Sequence, residues 1–174
     1  MDMITAGQYL LVYNAFSFTF ASMAAATLFF WFGRSQVGPA YKTALTITGL
    51  VTAIAAYHYY RIFESWSEAY ALTDGVITAS GVAFNDAYRY VDWLLTVPLL
   101  LIELVLVMRL SQSATVSTSV RLGSAAALMI ILGYPGEIAD NNSTRALWGT
   151  LSSIPFLYIV WELFKGLGDA IERQ

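Results

Sequence analysis

Arg89, Asp92 and Glu103 stand in a run, Asp86 to Met108, that is otherwise dominated by aliphatic and aromatic residues. A charged side chain at the centre of a bilayer costs at least about 2.5 to 3.5 kcal/mol, so such groups point to function by default. At about 100° per helical residue, Thr96 lies about 40° round from Asp92, Glu103 about 20° and Arg89 about 60°, which puts all four on one face. Asp92 and Glu103 are then about 16 Å apart along the axis. That is too far for the carboxylate pair of a retaining glycosidase or for a shared metal. It suits two stations of a proton path, because a carboxyl out of water keeps or releases its proton according to the charges around it. Pro98 lies between them; its missing N–H and its ring free the carbonyl of Leu94 and invite a kink or a bound water. The alternative is a polar face used only for helix packing. Serine or threonine would serve that purpose without two acids, so a proton or ion path is favoured.

The elements that position these groups follow from composition. The 174 residues are 57 % hydrophobic and 12 % charged, against roughly 25 % charged in soluble domains, which argues for an integral membrane protein. With no cysteine and a single histidine, His58, disulfides, thiolate chemistry and iron–sulfur clusters are excluded and a zinc site is disfavoured. A net charge of -3 gives no basic surface for nucleic acid, and no nucleic-acid partner is expected.

Crossing a bilayer takes roughly 20 helical residues. Five runs qualify: about 3–33, 43–63, 86–108, 117–134 and 144–164, expected to form one membrane domain over 1–174. The first lacks a basic leader and is too long for a secretory signal, so it reads as a retained span. Arg34, Lys42, Arg109, Arg121, Lys165 and Arg173, six of the nine basic residues, fall on one side. By the positive-inside rule that side is cytoplasmic, with the amino terminus, the 64–85 loop and the 133–142 turn outside. The expected location is a bacterial inner membrane, multi-pass, in contact with lipid. Asn141 to Thr144 reads as turn and cap residues rather than a glycosylation site, and Gly166 and Gly168 follow no strand, so they form no dinucleotide fingerprint.

The run Asp86-Ala-Tyr-Arg89-Tyr-Val-Asp92-Trp93-Leu-Leu-Thr96-Val-Pro98-Leu-Leu-Leu-Ile-Glu103 resembles the third helix of the microbial rhodopsins, within them the proteorhodopsin and xanthorhodopsin group. The likeness extends over essentially the whole chain, through Tyr13 to Phe18, Tyr57 to Phe63, Gly133 to Glu137 and Trp148 to Phe156. The resemblance implies a light-driven outward proton pump, a transporter rather than an enzyme, that carries all-trans retinal as a protonated Schiff base. It implies Asp92 as counterion and proton acceptor, hydrogen-bonded by Thr96 and His58, Arg89 as the cation that keeps Asp92 charged, and Glu103 as proton donor. Trp93, Leu100, Met129, Gly133 and Ser152 match retinal-pocket positions, and Leu100 implies green absorption. Glu137 matches an acidic position of the family, though its residue type alone reads equally as a solvated loop carboxylate. Gly149 matches a glycine that opens a window for a carotenoid antenna; a small residue in a membrane helix also serves plain helix contact.

The family has seven helices and holds retinal on a lysine of the last. Five spans are read here, and the two lysines, Lys42 and Lys165, sit at span ends where ammonium groups reach water. The expectation is a partial chain that alone neither binds retinal covalently nor pumps, with helices six and seven supplied by continuation or as a separate polypeptide, and with a homo-oligomeric state implied by the resemblance. Two other readings compete: a sensory photoreceptor, which commonly lacks a carboxylic donor such as Glu103, and a retinal-free membrane interaction protein.

Overall fold

The computed structural model describes residues 4–73, 76–85 and 87–171. It is almost entirely helical: α1 (Ala6–Gly33), α2 (Lys42–Ala69), α3 (Ala87–Val107), α4 (Gln112–Glu137) and α5 (Asn142–Ile171), with a two-stranded hairpin, β1 (Tyr70–Thr73) and β2 (Val76–Ala79), between α2 and α3. Met3 and Asp86, expected as helix starts, and Arg173, counted among the basic residues of one side, lie outside the described residues. Each helix packs against its neighbour in the chain, so the five form a row from α1 to α5.

Helix ends follow local chemistry. Thr5 opens α1 with a capping box, its hydroxyl accepting from Gln8 N while the Gln8 side chain accepts from Thr5 N. That arrangement satisfies two otherwise orphaned donors. Ser111 caps α4, accepting from Ala114 N at 3.4 Å, so residues 112–116, left outside the expected 117–134 span, form the first turns of the helix. The expected 133–142 turn is also largely helical, because α4 runs through Pro135 to Glu137. In the short α3–α4 turn Arg109 takes φ 54°, a left-handed backbone that usually calls for glycine; its guanidinium lies over the Tyr41 ring at 5.4 Å.

Where a long 64–85 loop is expected, α2 continues to Ala69 and the chain turns back through the hairpin, Tyr70 pairing with Ala79 and Thr73 with Val76. Ile4 bridges to Ile77. Trp66 anchors this end, its ring 4.4 Å from Tyr70, 6.1 Å from Tyr9 and 6.1 Å from Phe84.

By length and composition α1, α3, α4 and α5 are apolar enough to cross a membrane, and α2 is not among them. Polar residues dilute α2 because it lies inside the row: it buries nine residues, whereas Thr27 alone is buried on α1. Its hydroxyls, imidazole and guanidinium turn toward α1 and α3, while α1 presents Phe18, Phe29 and Phe32 outward, as a lipid-facing helix does. Across α1 and α2, Thr27 donates to Thr52 at 2.9 Å. A Cβ at Gly49 would fall on the Trp31 indole. Gly49→Leu is therefore expected to force the two helices apart, costing about 1–3 kcal/mol and lowering the thermal midpoint measured in detergent; an unchanged midpoint would show that Trp31 swings aside freely. On the other side of the row, Val105, Leu122, Ala126 and Ile159 form the packed core of α3, α4 and α5.

Candidate functional site

The polar seam between α2 and α3 carries the chemistry. His58, Asp92 and Thr96 are each buried to within 6 % of full coverage. His58 Nδ1 lies 3.0 Å from the Ile54 carbonyl and 3.5 Å from Asp92 Oδ1. A carbonyl only accepts, so Nδ1 carries the hydrogen and turns an N–H toward both oxygens. The shorter bond goes to Ile54, and Asp92 Oδ1 is left buried without a hydrogen bond. The Thr96 hydroxyl donates at 2.8 Å to the main-chain carbonyl of Asp92, not to its carboxylate as expected. Serine and threonine in helices commonly bond back to the fourth preceding carbonyl.

Toward the other end of the seam, Thr48 donates to Glu103 Oε1 at 2.6 Å and also lies 3.1 Å from the Ala44 carbonyl; Glu103 Oε2 is buried without a partner. Thr48 is the site residue that sequence reasoning missed. A signal for it exists: Thr48 and His58 are ten residues apart on α2, about 15 Å along the axis, matching the roughly 16 Å between Asp92 and Glu103 on the antiparallel α3. One register thus pairs Thr48 with Glu103 and His58 with Asp92.

Arg89 points away from that seam. Its Nη2 donates to Glu137 Oε1 at 3.3 Å, joining α3 to the end of α4. Glu137 is therefore an ion-pair partner of Arg89, a role that its position within the expected 133–142 turn concealed. Lys42 is exposed at the start of α2, and Lys165 lies with Nζ 5.2 Å above the Trp161 ring near the end of α5.

Residues 12–174 match the family model of bacteriorhodopsin-like proteins. The chain belongs to this family. Its sequence is 33 % identical over 152 residues to the green-light absorbing proteorhodopsin of Gamma-proteobacterium EBAC31A08, covering 86 % of this chain and 55 % of that protein. It is 34 % identical over 157 residues to the bacteriorhodopsin of Halobacterium salinarum, covering 88 % and 56 %. The chain thus spans about half the length of these relatives. Among solved structures it is similar to xanthorhodopsin, described as a light-driven ion pump with dual chromophore, with 53 % identity and a TM-score of 0.95 over 100 % of this chain and 71 % of that one. A thermophilic rhodopsin matches at 51 % identity and a TM-score of 0.95, over 99 % and 69 %. The microbial rhodopsin fold expected from α3 is therefore the fold of this protein.

In this bacteriorhodopsin-like chain the five apolar-slot residues fall on α3, α4 and α5. Trp93 and Leu100 share one face of α3 and are 40 % and 46 % exposed. Met129 packs on the core, and its carbonyl accepts from Ser152 Oγ at 2.9 Å. A Cβ at Gly133 would meet Ser152 Oγ at 3.5 Å and Tyr90 at 3.6 Å, whereas one at Gly149 would meet nothing within 4 Å. Gly133, Gly149, Ser152, Tyr90 and Glu137 line one cavity of about 410 Å³.

Proposed function

We propose that this chain works in a light-driven outward proton pump with retinal as its chromophore. The observation that carries the reading is the pair of carboxyls, Asp92 buried and Glu103 half-buried, placed at opposite ends of one polar seam beside His58 and Thr48. The residues fit the chromophore: Asp92 Oδ1 is buried and unbonded, as the counterion of an organic cation would be, and the exposed Trp93 and Leu100 stripe suits a flat polyene. Bound all-trans as a protonated Schiff base, retinal would supply the light-driven change of geometry and the transferable proton.

The chain's own residues divide the remaining work. Asp92 takes up the proton. His58 keeps an N–H turned toward it, which favours the charged carboxylate beforehand. Arg89, one turn before Asp92 on α3, is held by Glu137 on the α4 side and adds its positive charge from there rather than by contact with Asp92. Glu103 delivers a proton from the far end of the seam, and Thr48 fixes its rotamer. Lys42 and Lys165 are both remote from Asp92, so on this reading the Schiff-base amine comes from a lysine outside this sequence, in a continuation of the polypeptide or in a separate one. Gly149, open on its Cβ side, is the place where a carotenoid would lie as second chromophore. The inner membrane, an exterior amino terminus and a homo-oligomer belong to the same proposal.

A specific observation favours pump over sensor: Glu103 is a carboxylic donor with a hydroxyl partner in place. Illuminating retinal-supplemented cells that express the protein should acidify the medium, and a protonophore should abolish the signal. A photocycle without acidification would favour the sensor.

A further inference from the structure

The α2–α3 register continues beyond His58 and Asp92. One turn further on, Arg61 Nη2 donates to the Tyr88 hydroxyl at 2.8 Å and lies over that ring at 5.3 Å. Next, Asn85 N donates to Ser65 Oγ at 2.9 Å. Arg61 Nη1 also pairs with Glu64 Oε2 at 3.3 Å, and Tyr60 donates to Glu64 Oε1 at 2.7 Å. Arg61, Glu64, Ser65, Glu68, Asn85 and Tyr88 line a polar cleft of about 280 Å³. A water occupies roughly 30 Å³ of liquid and needs two to four polar partners, so the cleft meets both conditions for a water chain. Arg61 Nε, buried with no acceptor among the described residues, offers one donor.

We propose that this cleft is the exit route for the transported proton, with Glu64 as the carboxylate from which it leaves. The assignment rests on the pump reading above. The O–H bond of protonated Asp92 breaks, Asp92 regains its charge, and the proton passes through water beside Tyr88 and Arg61 to a Glu64 oxygen, then to bulk water; no electrons change hands. The Arg89–Glu137 side is the other conceivable route. Asp92 faces α2, however, and Tyr90, which lines the Glu137 cavity, lies about 200° round α3 from it. Tyr90 also packs, tilted, at 5.2 Å against both Trp93 and Tyr134, so aromatic rings line that side of α3.

The test follows proton release after a flash with a pH-indicator dye, in the retinal-bearing protein, for wild type, Glu64→Gln, Tyr88→Phe and Glu137→Gln. Glu64→Gln should delay release about tenfold or more relative to chromophore deprotonation, and transient infrared spectra should lose one carboxyl band. Tyr88→Phe should delay release less. Independently of retinal, a Glu68→Cys variant, in a stretch of 174 residues that holds no cysteine of its own, should be labelled by a membrane-impermeant thiol reagent added outside, beyond the labelling of the parent protein. Release timing unchanged in Glu64→Gln, or delayed only in Glu137→Gln, overturns the exit assignment while leaving the pump intact. A retinal-bearing wild type that releases no proton overturns the pump reading itself.

Discussion

Replacing Asp92 by asparagine is expected to abolish light-driven proton export and to shift the visible absorption band to longer wavelength. The substitution keeps the shape of a side chain that is 8 % exposed, so folding should survive it, but an amide neither takes up a proton nor carries charge. Loss of a positioned proton acceptor slows transfer on the order of 10²-fold or more, enough to bring transport to baseline. The colour change has a separate cause. On the retinal reading, the chromophore's positive charge sits near the Schiff-base nitrogen before excitation and spreads along the polyene after it. A nearby carboxylate therefore stabilises the ground state more than the excited state, by an amount magnified where water is excluded. Removing it narrows the gap. Spectra and acidification traces on the same preparation check both results. A variant that still pumps at the wild-type rate would remove Asp92 from the acceptor role.

Glu103→Gln should give the opposite kinetic signature. The early proton transfer and the first release remain, because Asp92 and its surroundings are untouched, while recovery of the chromophore slows on the order of 10²-fold at neutral pH. With the internal donor gone, protons arrive from bulk water through the Thr48 end of the seam, and the recovery rate should fall in proportion as the bulk proton concentration is lowered. On the pump reading, the carboxyl held by Thr48 at 2.6 Å supplies the proton in the parent protein, so its recovery should depend less on pH. Flash photolysis across a pH series separates the two; recovery as fast as wild type would mean that another group supplies the proton.

Much of this architecture is written in the sequence because the bilayer imposes length and apolarity together. α3, expected over 86–108, spans Ala87–Val107. The face shared by Asp92 and Glu103 follows from helical periodicity alone. What escaped depends on partners distant in sequence or on local chemistry that composition obscures. The hairpin is one case: Asp74-Gly75, a recognised hairpin pair, lies in sequence between two short strands within what composition renders as a polar loop. The start of α4 is another, since its first turns are rich in serine and threonine but capped by Ser111. Thr48 and the Arg89–Glu137 pair needed the helix register, which periodicity within a single helix does not supply. The Thr96 hydroxyl bonds back to the Asp92 carbonyl, a choice between main-chain and carboxylate oxygens that residue type and spacing do not fix.

The shared register of α2 and α3 also limits how such a protein can change. One alignment holds Thr48 at Glu103, His58 at Asp92 and Arg61 at Tyr88. Inserting one residue into α2 between positions 48 and 58 would turn one half of that helix by about 100° against the other, so uptake and acceptance could not both keep their partners. Point substitutions can tune colour or speed station by station, but the spacing between stations is inherited as a block. Chimeras that exchange α2 and α3 together should therefore remain workable where exchanges of either helix alone between homologues of different spacing fail.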